Sequence, residues 1–251
     1  MKKIGIIVNP YAKQIRRKRL KIDDFIGLDE KYAIVKVTQS LEEVPKVLIE
    51  FKKQKVGYIG ILGGDGSIHN TLVHLEKLYK SLDKIPPLLI LKGGTMNLVA
   101  KSIKLNGDGL SIIKRFIKSL KSGNVLKVHR RNVLKIDNKF CFLFGLGIVT
   151  NYLEEVYKGE KGAIANTRGF LKAIGQSIKP PKGKSLFDGI IGNVTIDNTK
   201  VPWGETTAVF AGTVEYISTG LKTLSKATQD DETFQVICTN LKGMRFISNL
   251  Y

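Results

Sequence analysis

The sequence predicts an α/β protein with an N-terminal doubly wound parallel-sheet domain, followed by a mostly antiparallel, β-sandwich-like domain. Three observations carry that expectation. Short β-rich runs alternate with amphipathic helical patterns in the first half, and from about residue 124 the pattern turns to β-rich segments parted by Gly, Asp and Asn. The 251 residues, 43% hydrophobic and 25% charged, are enough to build two packed units and exclude wholesale disorder.

The runs Ile4-Gly-Ile-Ile-Val8, Tyr32-Ala-Ile-Val-Lys-Val37, Val56-Gly-Tyr-Ile-Gly-Ile-Leu62 and Pro87-Leu-Leu-Ile-Leu91 are nearly continuous apolar stretches, the pattern of strands buried on both faces. After the second run, Leu41, Val44, Leu48 and Phe51 share a helical face; Ser40 and Glu43 are spaced as a capping box, and Pro45 is placed to shift the helix start. Ile68, Leu72, Leu75 and Tyr79 form a second such face, and Leu110, Ile113, Phe116, Ile117 and Leu120 a third. Strand and helix in alternation imply right-handed crossovers and a sheet covered on both sides. This domain is expected over residues 1–123.

Residues 124–251 are expected to form the second domain. Residues 125–136 and 139–144 read as strands around an Asp137-Asn138 turn. A helical insertion follows, with Ile164, Phe170, Leu171, Ile174 and Ile178 on one face and Pro180-Pro181 at its end. Further strands are expected within 190–196, 206–216 and 234–239.

The charge is unusual: 41 Lys+Arg against 22 Asp+Glu gives +19. Such a balance points to a polyanionic partner or an anionic surface without choosing among nucleic acid, membrane and phosphorylated small molecules. Cys141 and Cys238 lie in apolar runs and are too few for a disulfide framework, which favours buried free thiols in a reducing, cytoplasmic setting. The most apolar segment, 140–149, is about half the roughly twenty residues that span a bilayer, so membrane contact is expected to be peripheral.

Ligands of doubly wound sheets gather beyond the carboxyl ends of the strands. There the chain carries Asn9-Pro10, then Gly63-Gly64-Asp65-Gly66-Ser67, then Gly93-Gly94-Thr95-Met96-Asn97. Two of these loops are glycine-rich and lead into helices, where backbone N–H groups and the positive helix end can hold phosphate oxygens; Ser67, Thr95 and Asn97 add hydrogen bonds. Neither loop is a Walker P-loop or a complete dinucleotide fingerprint. Tight turns alone would also use glycine, but two such loops at equivalent strand ends favour a phosphate cradle. Asp65 suits either a metal on the phosphate or a hydroxyl proton.

These residues are specific enough for a family resemblance. Gly63-Gly-Asp-Gly-Ser67, Gly93-Gly-Thr-Met-Asn-Leu-Val-Ala100 and Asn9-Pro10 together resemble the diacylglycerol kinase catalytic-domain family, which includes bacterial lipid kinases and sphingosine kinases and whose fold relatives are NAD kinases and phosphofructokinases. Phe142-Leu-Phe-Gly-Leu-Gly-Ile148 and Asp230-Asp231-Glu-Thr-Phe-Gln-Val236 extend the similarity. The resemblance implies ATP bound between the domains by Asn9, Thr38, Gly63, Gly64, Asp65, Gly66, Ser67, Gly94, Thr95 and Asn97. It assigns Asp65 a catalytic role and puts Asp231 with Asp65 in a Mg2+ network. The acceptor would be a hydroxyl of a diacylglycerol-like or sphingoid lipid, met at an anionic membrane surface.

The sequence departs from the family in places. Asn70 stands where the family usually has Glu, Leu98 where it has an acid, and Glu232 where it has Gly. No Asp-Gly-Glu, the family's source of a proposed general base, occurs, which reads as a C-terminal truncation relative to the family. A catalytically weak or inactive nucleotide- or membrane-binding relative is therefore a second expectation, and NAD kinase a third. His69, His74 and His129 lack metal-ligand spacing. The basic run Lys13, Arg16, Arg17, Lys18, Arg19 and Lys21 reads as a solvated face or as attraction for nucleotide or headgroup; nucleic acid is disfavoured because no nucleic-acid-binding motif is present.

Overall fold

The computed structural model describes residues 2–124, 126–137, 139–157, 163–218, 221–230 and 232–249. The chain divides into two compact units, one of residues 1–131 with 135–141 and one of residues 132–134 with 142–251.

In the first unit the order is β1 (Ile4–Val8), α1 (Lys13–Arg16), α2 (Asp23–Ile26), β2 (Ala33–Val37), α3 (Glu43–Lys53), β3 (Tyr58–Leu62), α4 (Asp65–Tyr79), β4 (Leu88–Ile90), α5 (Leu98–Ser102) and α6 (Gly109–Lys121). The four strands form one parallel sheet in the order β2-β1-β3-β4, with Ile4 opposite Ala33 on one side and Tyr58 on the other. Side chains alternate across a strand, so Ile4, Ile6 and Val8 pack with Phe25 of α2 and with Ile112, Ile113 and Ile117 of α6. Ile7, Ile59 and Ile61 belong to the opposite face and are buried too, as are Leu48 and Phe51 of α3 and Ile68, Leu72 and Leu75 of α4. A sheet apolar on both faces needs helices on both, and the expected periodicities supply them.

Helix entry differs in detail from the sequence expectation. At the start of α3 the N-cap residue is Glu42, and no Ser40–Glu43 capping box forms. The Glu43 carboxylate instead accepts the Gln39 backbone N–H at 2.7 Å. The helix starts at Glu43, two residues later than a Ser40 cap would place it, and Pro45 lies in its first turn, where its missing N–H would have no intrahelical partner. Leu41, ahead of the helix, is exposed.

A true side-chain cap opens α6, where Asp108 Oδ1 accepts the Ser111 N–H at 2.8 Å. The Ser111 backbone bond is the main cause holding the Asp108 carboxyl below its ordinary range. A depressed folded-state pKa means this contribution is complete above the unfolded value of about 4 and is lost as pH falls through the folded value. Asp108→Ala is expected to cost about 1 kcal/mol near neutral pH. In urea titrations the gap from wild type should close as the pH is taken well below that unfolded value.

The chain continues through β5 (Leu134–Ile136), β6 (Lys139–Cys141), β7 (Leu143–Gly147), α7 (Ile148–Tyr157), α8 (Ala163–Ile178), β8 (Ile190–Ile191), β9 (Thr195–Ile196), β10 (Thr199–Lys200), β11 (Glu205–Thr206), β12 (Ala208–Gly212), β13 (Gln235–Thr239) and α9 (Gly243–Ser248). Of the strand expected over 125–136, only Leu134–Ile136 is strand; Val125 lies outside the described residues, and 126–133 carries no regular structure. The expected sandwich is, among the described residues, one three-stranded antiparallel sheet, β13-β12-β7, with the two-stranded ribbons β10-β9 and β11-β8. Gly147 turns β7 into α7 at φ +73, and a Cβ there would meet the Thr207 carbonyl oxygen at 2.1 Å. The core of this unit gathers Ile148, Leu186, Phe187, Phe210, Leu224 and Phe246, the last stacked on Phe210 with ring centroids 6.5 Å apart. Neither cysteine is in a disulfide among the described residues, and both are half-buried rather than fully buried. Among the described residues no helix is long and apolar enough to cross a membrane.

Candidate functional site

The strand order β2-β1-β3-β4 reverses direction at β1: the chain first adds β2 on one side and then β3 on the other. At such a switch the loops leaving neighbouring strands diverge and open a crevice at the carboxyl edge. Asn9 N–H donates to the Leu62 carbonyl at 2.9 Å and Thr38 N–H to the Val8 carbonyl at 3.0 Å, carrying the ladder to the end of the strands. The loops that follow β1, β2 and β3 border a cleft of about 180 Å³.

Asn9 ties two of those loops together. Its Oδ1 accepts the Tyr11 N–H at 2.9 Å, a local Asx turn, while its Nδ2 donates to Ser67 Oγ at 3.0 Å. Thr38 is buried, with Oγ1 donating to the Val8 carbonyl at 3.4 Å. Asn9, Thr38 and Ser67 all line the cleft, joined by Asn70 one helical turn beyond Ser67. The Asn70 Oδ1 is buried and has no hydrogen-bond partner among the described residues. A buried acceptor left unpaired is costly, so this atom marks where a ligand donor is wanted. In the sequence Asn70 stands out only as a departure from the family's Glu, and its spacing of three from Ser67 is the signal that places it on the same side of α4.

Beside the cleft the two glycine loops meet backbone to backbone. Gly93 N–H donates to the Gly63 carbonyl at 2.8 Å. A Cβ on Gly94 would lie 2.4 Å from Gly64 Cα, and one on Gly93 would lie 2.9 Å from Gly63 N. Gly64 is the extended N-cap of α4, with no side-chain cap. The N–H groups of Asp65 and Gly66, in the first turn, therefore have no intrahelical acceptor and point out at the positive end of the helix. A Cβ on Gly66 would meet nothing within 4 Å, leaving open space next to those amides. This is the geometry of an anion cradle.

Asp65 is anchored as well as exposed to the cradle. Its Oδ1 accepts the Val99 N–H at 3.3 Å, bridging the first turns of α4 and α5. Asn97 sits at the N-cap of α5 with φ +50, its Oδ1 accepting the Gly94 N–H at 3.0 Å and its Nδ2 donating to the Gly94 carbonyl at 3.2 Å. Thr95 is exposed at the rim of the same loop. Gln14 of α1 donates its backbone N–H to the Gly93 carbonyl at 3.0 Å and its Nε2 to the Gly94 carbonyl at 3.3 Å. The basic run thus begins against the glycine loops. Next to them, burial and then the Arg115 charge hold the Lys92 ammonium below its ordinary range.

Of the residues expected from sequence, Asn9, Thr38 and Ser67 come together in the cleft, and Gly63, Gly64, Asp65, Gly66, Gly94 and Asn97 in the touching loops. Asp231 lies outside the described residues. No cluster of three metal-ligating side chains occurs among the described residues. A Mg2+ carried by a nucleotide does not need one: it takes most of its ligands from phosphates and water and one or two from carboxylates. Asp65, the acid between the glycines, fits that requirement.

Comparison with known proteins returns a family match first. The model of the family described as "Diacylglycerol kinase catalytic domain" matches residues 3–128, half of the chain. A curated protein of Streptococcus pneumoniae serotype 4 (strain ATCC BAA-334 / TIGR4), named "Putative lipid kinase", is 25% identical over 159 residues, 62% of this chain and 50% of that protein. The matched region therefore spans about half the length of that relative. The crystal structure of a diacylglycerol kinase from Bacillus anthracis str. Sterne superposes with a TM-score of 0.67 at 20% identity, covering 98% of this chain and 76% of that one. Another, "A putative diacylglycerol kinase" from the same organism, gives 0.71 at 19% identity over 99% and 79% of the two chains. At these identities the two structures speak for the fold.

Proposed function

The chain belongs to the diacylglycerol kinase catalytic domain family, and on that premise we propose that it is an ATP-dependent lipid kinase, transferring the γ-phosphoryl group to a hydroxyl of a diacylglycerol-like or sphingoid lipid. The observation that carries this reading is the contact of the two glycine loops beside the cleft. That contact leaves the Asp65 and Gly66 amides facing open space at the start of α4.

In this account the nucleoside enters the cleft against Thr38 and Asn70, and the phosphates run to the α4 amides, helped by the Ser67 and Thr95 hydroxyls. The cations from Lys13 to Lys21 offset the phosphate charge. Asp65 is the side chain assigned to Mg2+, which when bound neutralises charge that builds on the phosphate oxygens during transfer. The lipid hydroxyl oxygen forms the new bond to the γ-phosphorus and releases its proton to water, as the bond to the bridging oxygen breaks and ADP leaves. Positioning and charge neutralisation govern such transfers, so a rigid cradle is the main contribution of this unit.

Ser67→Ala offers a graded test. It deletes the hydroxyl that accepts from Asn9 and leaves the helix intact. A lost hydrogen bond of this kind is worth about 0.5–1.5 kcal/mol, so ATP affinity measured by calorimetry is expected to fall about two- to tenfold. Unchanged affinity would remove Ser67 from the site. The direct test of the reading is transfer of label from γ-labelled ATP to a panel of vesicle lipids. ATP binding without transfer to any of them would leave a nucleotide-binding relative instead.

A further inference from the structure

The cleft at the carboxyl edge of the sheet is neutral in a strongly basic protein. Ile7, Val44, Ile61 and Leu62 line it together with side-chain amides and hydroxyls of the loops, and among the described residues no Lys, Arg, His, Asp or Glu does. In a chain of formal charge +19, a lining without one ionised group suits the uncharged part of a ligand whose phosphates lie elsewhere. At about 180 Å³ the cleft is also smaller than the roughly 300–1,000 Å³ of sites that take a whole ligand.

Two large side chains stand exposed at its border, on different loops. Tyr11, in the turn after β1, is 63% exposed, and Leu41, between β2 and α3, is 61% exposed. The turn holds Tyr11 in place: its N–H donates to Asn9 Oδ1 at 2.9 Å, and the next residue, Ala12, is buried. The Tyr11 hydroxyl donates to Gln39 Oε1 at 3.4 Å, which ties the ring to the loop that carries Leu41. Within the cleft, the buried Asn70 Oδ1 lacks a donor among the described residues. Asn70 lies four residues beyond Gly66, about 6 Å along the axis of α4 from the amides of the anion cradle. A nucleotide with its phosphates on those amides would carry its donor groups past Asn70 and its base to the border of the cleft.

We propose that Tyr11 and Leu41 clamp the nucleobase of the phosphoryl donor, and that Tyr11 is the residue that makes the site prefer purine over pyrimidine nucleotides. A base held between them removes both exposed side chains from water and stacks on the phenol ring. The two fused rings of a purine cover more of that ring than the single ring of a pyrimidine, so the clamp discriminates by area. An acyl chain would fill the apolar walls but bring no donor to Asn70 Oδ1, and a free phosphate would meet no cation in the cleft. The inference deepens the ATP-dependent reading and rests on it for the identity of the donor.

The test is calorimetric titration of the full chain with ATP, with CTP and with inorganic tripolyphosphate, which has no base. Wild type is expected to bind ATP more tightly than CTP. Tyr11→Ala should weaken ATP about 5- to 100-fold, the effect of losing one base–aromatic stack, and should weaken CTP less, so that the preference narrows. Its affinity for tripolyphosphate should stay that of wild type. Tyr11→Phe keeps the ring and should regain most of the lost ATP affinity, while Leu41→Ala should weaken ATP as Tyr11→Ala does. Both side chains are exposed, and an unchanged circular dichroism spectrum and thermal midpoint check the fold. The proposal is overturned if wild type binds CTP as tightly as ATP, or if Tyr11→Ala binds ATP as wild type does. It is overturned too if Tyr11→Ala weakens tripolyphosphate equally, which would make Tyr11 a support of the cradle, or if Tyr11→Phe behaves as Tyr11→Ala, which would leave only the bond to Gln39. Transfer to lipid is read separately. The expected binding pattern with no lipid phosphorylated sinks the kinase reading alone, and lipid phosphorylation with ATP affinity untouched by Tyr11→Ala sinks the clamp alone. A wild type that binds no ATP overturns both.

Discussion

The Asp65→Asn protein is expected to fold, to bind ATP, and to transfer its γ-phosphoryl group about 10²–10³-fold more slowly than wild type, the usual cost of removing one electrostatic contact aimed at a developing charge. Asparagine keeps an oxygen where Asp65 Oδ1 now accepts the Val99 N–H. The bridge between the first turns of α4 and α5 therefore survives, and with it the shape of the cradle. Only the negative charge is lost, and with it the carboxylate assigned to Mg2+. Single-turnover transfer rates, set beside ATP affinity measured on the same preparation, separate the two effects. A variant whose affinity collapses together with its rate would show that Asp65 shapes the loop rather than serving the chemistry.

Gly94→Ala acts the other way, on geometry with charge untouched. The new methyl would lie 2.4 Å from Gly64 Cα and 3.1 Å from Asn97 Oδ1. The closest of these is backbone, so no side-chain rotamer relieves it. The two loops must part, and Asn97 must loosen its paired hydrogen bonds to Gly94. Overpacking of this kind costs about 1–3 kcal/mol of stability, and displacement of a binding group by about 1 Å costs about 100-fold in function. Both losses are expected, read as a lower thermal midpoint and as weaker ATP binding with slower transfer. Gly204→Ala is the control, since a Cβ there meets nothing within 4 Å. Equal behaviour of the two variants would contradict the claim that loop contact builds the site.

The parallel sheet and its helices were legible because their signals are local and strong. Strands such as Ile4–Val8 and Tyr58–Leu62, apolar at nearly every position, have few alternatives, and the faces of α4 and α6 repeat at helical spacing. The glycine loops were legible for a related reason: backbone that must touch backbone admits glycine, and this demand is written directly in the chain. The β-rich half was less so. Ribbons of two residues, such as Ile190–Ile191 with Glu205–Thr206, are too short to carry any periodicity, and their pairing is decided by packing.

Site chemistry that depends on distant partners was also hidden. Nothing near Asp65 in sequence announces that its carboxylate will meet Val99, 34 residues on. Asn70 shows the limit most clearly, because a buried oxygen becomes an orphan only when the assembled fold fails to supply a donor. At the start of α3, the capping-box spacing of Ser40 and Glu43 was correct as a pattern. The carboxylate found the Gln39 N–H instead, a competitor one residue away.

The central claim is that the two touching glycine loops hold ATP for transfer to a lipid hydroxyl. Its most direct test is the transfer of label from γ-labelled ATP by wild type and by Asp65→Asn, with diacylglycerol and sphingoid lipids in vesicles and with NAD offered separately. A labelled phosphorylated lipid is expected from wild type, a product reduced about 10²–10³-fold by Asp65→Asn, and unlabelled NAD. Labelled NAD with every lipid unlabelled, or equal lipid labelling by the two proteins, would contradict it.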